Sequence, residues 1–198
     1  FNLAKNSLKL VRKRNFNGIN SQVSLNNKIL IVGWYGTETL GDKAILYSII
    51  QELIKAGVVH SQIFVASIEP YITEYTLKEF DLATGCSVIS LLEAENQAQA
   101  GGFRQVIFGG GPIMSSIDYL CNIASIFQSV HDLGGQGIVW GCGLGPIRST
   151  KRDILNKIAI SKILRIARSC VFRDQKSLEI AKNFAGPAIE SHSEVALD

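Results

Sequence analysis

Short apolar runs alternate with longer amphipathic segments from Lys28 onwards. Six runs have the length and the β-branched content of buried strands, and they span 28–32, 62–67, 87–90, 105–108, 136–140 and 169–172. Six segments between or after them carry apolar residues at helical spacing, and they span 42–56, 72–80, 91–99, 117–133, 151–168 and 175–184. Parallel strands need a crossover, which a helix supplies. The pattern therefore predicts an α/β fold, a Rossmann-like doubly wound domain with a mostly parallel sheet and helices on both faces.

The same pattern divides the chain into three parts. Residues 1–27 mix Asn, Ser and basic residues without a sustained period, which is typical of a basic leader or linker, with a short helix predicted over 3–13. The Rossmann-like domain occupies 28–185. Residues 186–198 begin with a Gly-Pro break and are interpreted as a linker, a new strand or the start of a second domain. The chain begins at Phe1 and its one methionine is Met114, so we expect a fragment or a processed product.

Composition narrows the class of protein. Hydrophobic residues make up 46 % of the 198, enough for a core without disulfides, and the net charge of +3 is too small to indicate a nucleic-acid partner. No apolar run reaches the length of a membrane span, which is about 18 residues. The four cysteines form no CxxC pair and no His stands at metal-ligand spacing. We therefore expect a reduced, cytoplasmic protein without a metal or redox cofactor.

Three glycine-rich segments follow predicted strands, at 33–42, 109–112 and 141–146. Ligands of open α/β sheets gather beyond the carboxyl ends of the strands, where glycine lets backbone amides approach a phosphate, a carboxylate or a sugar. None of the three is GxGxxG after the first strand, and Asp42 stands where a P-loop needs its Lys. The first loop therefore argues against a P-loop NTPase, while ligand binding and simple tight turns both remain open for each loop.

Four segments in order carry a more specific signal: 29–46 (ILIVGWYGTETLGDKAIL), 106–111 (VIFGGG), 137–147 (GIVWGCGLGPI) and 171–178 (VFRDQKSL). As a set they resemble the polysaccharide pyruvyl transferase family, whose corresponding motifs read like G-x-x-G-x-x-N-x-G-D-E, G-x-G-x-G-P and R-D-x-x-S. The resemblance covers roughly 28–198. This chain departs from the motif with Thr39 for the family's Asn and Lys43 for its Glu.

The resemblance implies a glycosyltransferase-B-like architecture of two Rossmann-like domains facing across a cleft, of which this chain supplies the first. It implies transfer of pyruvate from phosphoenolpyruvate to two sugar hydroxyls as a ketal. The partners would be phosphoenolpyruvate and a saccharide or lipid-linked glycan acceptor, with no nucleic acid. Two rival hypotheses are a glycosyltransferase that uses a nucleotide-sugar and a non-catalytic domain that binds sugar or protein.

The reaction needs a base, a proton donor and cations for the donor's carboxylate and phosphate. Asp42 and Arg173 are the candidate catalytic residues. The structural alternative for Asp42 is a helix cap, and for Arg173 it is an ion pair with the neighbouring Asp174 or a cap at the start of the next helix. Arg148 could also grip the donor, and Glu38 could be a second carboxylate, although either could be a solvated loop residue. The remaining candidate substrate-binding residues are Gly33, Gly36, Gly41, Gly109, Gly110, Gly111, Gly143 and His192.

The segment 151–168 is rich in basic residues that could lie against anionic lipid or a lipid-linked glycan, or be simply solvated. Its Ile154, Leu155, Ile158 and Ile163 are expected to face the sheet. Peripheral membrane contact and self-association are left open by the sequence.

Overall fold

The computed structural model describes residues 27–37, 39–81, 85–111, 113, 117–145 and 151–196. Its strands form one sheet in the order β3-β2-β1-β4-β5-β6-β7, and every neighbouring pair is parallel. The strands are β1 (Ile29–Val32), β2 (Ile63–Ser67), β3 (Ser87–Ser90), β4 (Gln105–Gly109), β5 (Gln136–Cys142), β6 (Ala167–Phe172) and β7 (Ser193–Val195). The predicted doubly wound, Rossmann-like α/β fold is confirmed.

Six α-helices lie in the described part of the chain. They are α1 (Leu40–Lys55), α2 (Pro70–Glu79), α3 (Leu91–Gln99), α4 (Ile117–Asp132), α5 (Lys151–Ile166) and α6 (Gln175–Ala185). Each corresponds to a predicted helix within two residues at either end. The short 3-10 helices His60–Gln62 and Pro187–His192 precede β2 and β7.

Alternate residues of the central strands β1, β2, β4 and β5 enter two cores, one on each face of the sheet. On β1, Ile29 and Ile31 join the core under α1 and α2, whereas Leu30 and Val32 join the core under α3 to α6. All four side chains are buried. This double burial explains why the strand runs are continuously apolar, as expected for a parallel sheet covered on both faces.

The tail after Gly186 adds a strand to this sheet. Cys170, Val171 and Phe172 pair with Ser193, Glu194 and Val195 in parallel register. Residues 193–195 of this tail are therefore a strand, and the sheet extends beyond residue 185. Residues 1–26, with the helix predicted over 3–13, lie outside the described residues.

The orientation predicted for the apolar residues of α5 is wrong for three of four. Ile163 is buried, but Ile154, Leu155 and Ile158 are 50 %, 52 % and 60 % exposed. The core-facing side of α5 is supplied by Ala159, Ile160, Ile163 and Leu164. Successive helical residues are about 100° apart, so one helix cannot turn all these apolar positions to one sheet. No helix in the described ranges has both the length and the apolar character needed to cross a membrane.

Candidate functional site

The sheet changes its winding direction between β1 and β4. The chain passes from β1 to β2 and β3 on one side, and from β4 to β5, β6 and β7 on the other. The loops after β1 and β4 therefore diverge at the carboxyl edge and leave a crevice, which is where doubly wound folds bind ligands. The first two glycine loops, at 33–37 and 109–111, border this crevice.

Two tyrosines connect the strands on either side of the crevice. The Tyr35 hydroxyl donates to the Gly109 carbonyl at 2.7 Å, and the Tyr119 hydroxyl of α4 donates to the Gly33 carbonyl. Burial raises the pKa of both phenols well above the ordinary value, so both remain protonated donors. Trp34 packs edge-on against Tyr119 with ring centroids 5.2 Å apart. The aromatic pair after β1 thus packs into the floor of the crevice.

Close packing at this floor requires glycine. A Cβ on Gly33 would lie 2.3 Å from the Gly109 carbonyl oxygen and 2.6 Å from Tyr35 Cζ. A Cβ on Gly109 would lie 2.1 Å from Ile49 Cδ1 of α1. These two glycines therefore set how closely the loops approach each other.

Asp42 lies under the second glycine loop. An added Cβ on Gly111 would stand 2.8 Å from Asp42 Oδ1, and one on Gly110 would stand 3.5 Å from it, so the loop leaves space for this carboxylate. Asp42 is 7 % exposed, and burial raises its pKa above 3.8, opposed by a hydrogen bond with the Thr39 side chain. Asp42 is not the cap of α1, because Thr39 occupies the N-cap position and Asp42 is the third helical residue.

This position of Asp42 bears on which ligands suit the crevice. The first turn of a helix favours a negative charge, and in dinucleotide-binding folds a pyrophosphate takes that place. In this chain the ionisable carboxylate of Asp42 lies in the first turn of α1, where it would repel a phosphate. Carboxylates accept hydrogen bonds from hydroxyl groups. The Asp42 carboxylate at the corner between β1 and α1 is therefore unfavourable for a phosphate at that position.

The third glycine loop continues the sheet contacts beyond the crevice. The Ile113 amide donates to the Gly143 carbonyl at 2.8 Å, and the Gly143 amide donates to the Gly111 carbonyl at 3.2 Å. The buried Cys142 thiol donates to the Phe108 carbonyl at 3.4 Å, and burial raises its pKa to about 12. Cys142 is therefore a neutral packing group between the two loops.

Arg173 lies against the third loop, at the end of β6. A Cβ on Gly143 would approach its guanidinium carbon to 2.9 Å, and the Arg173 side chain is 64 % exposed. Its Nε donates to Asp174 Oδ2 at 3.1 Å. The negative charge of Asp42 raises the pKa of the Cys142 thiol and the positive charge of Arg173 lowers it, both by less than burial does.

Asp174 caps the last helix next to Arg173. Its Oδ1 accepts hydrogen bonds from the Ser177 amide and hydroxyl, both at 2.8 Å, and Ser177 Oγ accepts from the Leu144 amide at 2.9 Å. These hydrogen bonds, with Arg173 beside them, lower the pKa of Asp174. The ion pair and the cap predicted as structural alternatives are thus both present, and the Arg173 guanidinium remains open to solvent.

The remaining candidates are not grouped with this cluster. Gly36, at φ +88°, packs instead on Ser67 and Glu69 of the β2–α2 turn. Gly41 is exposed, with no atom within 4 Å of an added Cβ. His192 lies away from the crevice with which the sequence grouped it. It precedes β7, and its Nε2 lies 3.4 Å from the Leu164 carbonyl, at the amino edge of the sheet opposite the crevice. Glu38 and Arg148 lie outside the described residues.

Two cavities adjoin the site. One of about 10 Å³, enough for a single water, has Thr39, Asp42 and Lys43 in its wall, and Lys43 pairs with Glu79 at 3.6 Å. The other is an open groove of about 690 Å³ along the outer side of α1, with Trp140 and Gly141 of β5 opposite. Ile45 lines this groove and also contacts the Gly110 position. The groove therefore begins at the glycine loop that covers Asp42.

Sequence reasoning missed Tyr119 and Cys142. Tyr119 lies in a predicted helix and Cys142 in the third glycine-rich segment, and both donate to carbonyls far away in sequence. A tyrosine near the start of an otherwise apolar helix was the available signal, because a buried hydroxyl needs a partner. In the described part of the chain, no group of three or more His, Cys, Asp or Glu side chains could hold a metal ion.

Comparison of the chain with protein-family models finds no match, and comparison with curated proteins likewise finds none.

Proposed function

We propose that this chain carries the acceptor half-site, and part of the donor site, of a polysaccharide pyruvyl transferase. The observation that carries the proposal is Asp42, a buried carboxylate of raised pKa, held under a glycine loop at the switch point of the sheet. The motif resemblance indicates the reaction. The proposal assigns to Asp42 the role of the base that this reaction needs.

In the proposed reaction, one sugar hydroxyl adds through its oxygen to C2 of phosphoenolpyruvate. Its proton goes to a base, and the methylene carbon of the donor receives a proton and becomes a methyl group. The second hydroxyl then displaces the phosphate from C2 and its proton goes to the departing phosphate, which gives a cyclic ketal and inorganic phosphate. Asp42 acts as the base, because a carboxylate with a raised pKa takes a proton more readily than an ordinary one.

The groove along α1 supports a saccharide acceptor. Its volume of about 690 Å³ falls in the range of ligand pockets. Trp140 offers an aromatic surface, Ser48 and Gln51 offer hydrogen-bonding groups, and Lys55 and Glu52 neutralise each other at 2.7 Å. A hydroxyl-rich, uncharged chain that starts at Asp42 would continue into this groove.

Arg173 supports the donor side. It is an exposed guanidinium at the carboxyl edge, held against Gly143, and a guanidinium binds carboxylate or phosphate through two parallel hydrogen bonds. Arg148 follows the third glycine loop in sequence and is proposed for the same role. We place the reaction in the cytoplasm, which the four unpaired thiols fit.

The test is calorimetric titration of the 198-residue chain with phosphoenolpyruvate, and separately with a nucleoside diphosphate. We expect phosphoenolpyruvate to bind and the Arg173→Ala variant to bind it about tenfold more weakly, since a charged hydrogen bond is lost. Lys176→Ala is the matched control, because Lys176 is an exposed cation three residues further along. Binding of the nucleoside diphosphate alone would replace this proposal with the nucleotide-sugar glycosyltransferase.

Turnover is then tested on the protein isolated from its source, with phosphoenolpyruvate and its own polysaccharide. The expected product has gained the mass of pyruvic acid less one water, with one phosphate released per ketal. Asp42→Asn should reduce the rate about 100-fold, whereas Asp118→Asn, an exposed first-turn acid of α4, should not. An undiminished rate in the Asp42→Asn variant would remove Asp42 from the mechanism.

A further inference from the structure

The outward side of α5 has an unusual composition for an exposed helix. Between Ile154 and Ile166, five side chains are exposed. Three are the aliphatic Ile154, Leu155 and Ile158, each at least half exposed, and two are the basic Lys162 and Arg165. None of the five is acidic. The solvent side of a surface helix is ordinarily polar and of mixed charge.

Helical spacing brings these five residues into one stripe. Ile154 and Ile158 are four residues apart, as are Ile158 and Lys162, while Leu155 and Arg165 lie three and seven residues from Ile158. Residues at these separations share one side of a helix. The stripe is thus aliphatic in its first two turns and cationic in its last two. We refer to these five residues as the α5 stripe.

The position of the stripe relates it to the candidate site. Helix α5 follows β5, so its first turns lie at the carboxyl edge of the sheet, the edge that carries the crevice. The sequence supplies two further cations there, Lys151 and Arg152, and one acid, Asp153. The aliphatic end of the stripe therefore lies nearest the crevice, with cations in the sequence on both sides of it.

An exposed apolar patch bordered by charges marks a surface that contacts a protein or a membrane. The stripe is the crest of a convex helix, whose inner side packs on the core through Ile160, Ile163 and Leu164. A partner helix would be expected to use a groove, which the crest does not provide, whereas a flat surface can touch it along its length. The exposed cations Lys162 and Arg165 of the stripe complement an anionic surface.

We propose that the α5 stripe docks this protein on an anionic lipid membrane. Ile154, Leu155 and Ile158 enter the boundary between headgroups and acyl chains, and Lys162 and Arg165 lie over anionic headgroups. Docking in this way puts the carboxyl edge of the sheet, which carries the crevice, at one end of the docked helix. The inference stands on the exposure and charge of α5 and does not depend on the pyruvyl transfer reaction.

The experiment is flotation of the purified 198-residue chain with two kinds of vesicle, phosphatidylcholine alone and phosphatidylcholine mixed with phosphatidylglycerol. We expect binding to the mixed vesicles, weakened by salt. The Ile154→Asp/Ile158→Asp variant should bind at least about tenfold more weakly, because it replaces buried methylenes with charge. Lys162→Glu should weaken binding about fivefold.

Control variants carry the same changes elsewhere on the surface. Val59 is a 56 % exposed aliphatic residue at the amino edge, and Lys176 is an exposed cation on α6. Val59→Asp and Lys176→Glu should bind vesicles as the unchanged chain does. Each variant is compared by thermal unfolding, and all the substituted positions are exposed, so a loss of vesicle binding with an unchanged Tm reports on docking.

Three results would overturn the proposal. The first is absence of binding to the mixed vesicles by the unchanged chain, and the second is equal loss of binding in the control variants. The third is self-association of the chain in sedimentation that the Ile154→Asp/Ile158→Asp variant abolishes, which would assign the stripe to contact between copies. Because no donor or acceptor is present, failure here is separate from failure of the proposed function.

Discussion

The two candidate catalytic residues lie in different surroundings. Asp42 is 7 % exposed in a corner where Tyr35, Tyr119 and three glycines connect β1 to β4. Arg173 is an exposed side chain that touches Gly143 and Asp174. Asp42 is buried among closely packed residues, whereas the Arg173 guanidinium is exposed to solvent. Changes around Asp42 should therefore affect folding and ligand binding together, and changes to Arg173 should affect ligand binding alone.

The largest effect is expected from Gly33→Ala. The new methyl group meets the Gly109 carbonyl at 2.3 Å, and a backbone atom of a central strand cannot move aside. We expect a loss of about 3 kcal/mol in the free energy of unfolding, as for an overpacked core, measured by urea denaturation. Gly41→Ala is the control, since nothing lies within 4 Å of its added Cβ, and helix propensity should leave it neutral or up to about 1 kcal/mol more stable. Equal losses in both variants would show that the corner is not closely packed.

Tyr119→Phe removes one of two donors to the Gly33 carbonyl, which keeps its hydrogen bond from the Tyr35 amide at 2.8 Å. The expected loss is about 1 to 2 kcal/mol, measured in the same denaturation series. Tyr47→Phe, at a 39 % exposed tyrosine of α1, should change the stability by less. If Tyr119→Phe were neutral, the link between α4 and β1 would contribute packing alone.

Asp174→Ala probes the cap in the Arg173 corner. Loss of the hydrogen bonds to Ser177 should cost about 1 kcal/mol. The pKa of Asp174 is lowered in the fold, so the ionised carboxylate stabilises the protein above pH 3.8 and this contribution is lost as pH falls towards the lowered value. The stability difference between the variant and the unchanged chain should therefore shrink in acid. A difference independent of pH would mean that the charge on Asp174 plays no part in the cap.

Asp42→Asn should show the opposite dependence on pH. The pKa of Asp42 is raised, so between pH 3.8 and the raised value the folded chain holds the proton that the unfolded chain has released. The unfolding free energy then falls as pH rises through that window. Relative to the unchanged chain, the variant should gain stability across the same window and keep that gain at neutral pH. Denaturation at several pH values checks this, and a constant difference would contradict the burial argument.

Arg173→Ala should have the smallest effect on stability. Its ion pair with Asp174 is exposed, and such pairs contribute less than about 1 kcal/mol. We expect denaturation midpoints close to those of the unchanged chain, together with the weakened phosphoenolpyruvate binding described above. A large loss of stability would place Arg173 with Asp42 as a packed residue and remove the distinction between the two corners.

Much of the fold was predictable because its signals are local. All six predicted strands and all six predicted helices occur in the structure, since apolar periodicity and strand length are properties of neighbouring residues. The parallel class also followed, because strand-helix alternation leaves few other topologies. The orientation of α5 was not predictable in the same way. Its apolar residues outnumber the positions that can face the core, and only the packing of α4 and α6 around it decides which are left outside.

The candidate site was predictable in part. Asp42, Gly33 and the loop at 109–111 could be named because each follows a strand, and strand ends of a parallel sheet share one edge. The hydrogen bonds of Tyr35 and Tyr119 could not be named, since their partners are 74 and 86 residues away. His192 was placed with the site from its residue type alone, but it precedes a strand and so lies at the opposite edge.

The sequence by itself determined the elements, their parallel arrangement and the glycine loops after three strands, because these depend on periodicity and on conformations that a few adjacent residues adopt. The tertiary structure alone decided the strand order, which puts the first and second glycine loops side by side and brings Asp42 beneath Gly111. It also decided that Ile154, Leu155 and Ile158 face outwards. Burial, contact and pKa depend on which distant segments meet, and that is settled only when the helices pack on the sheet.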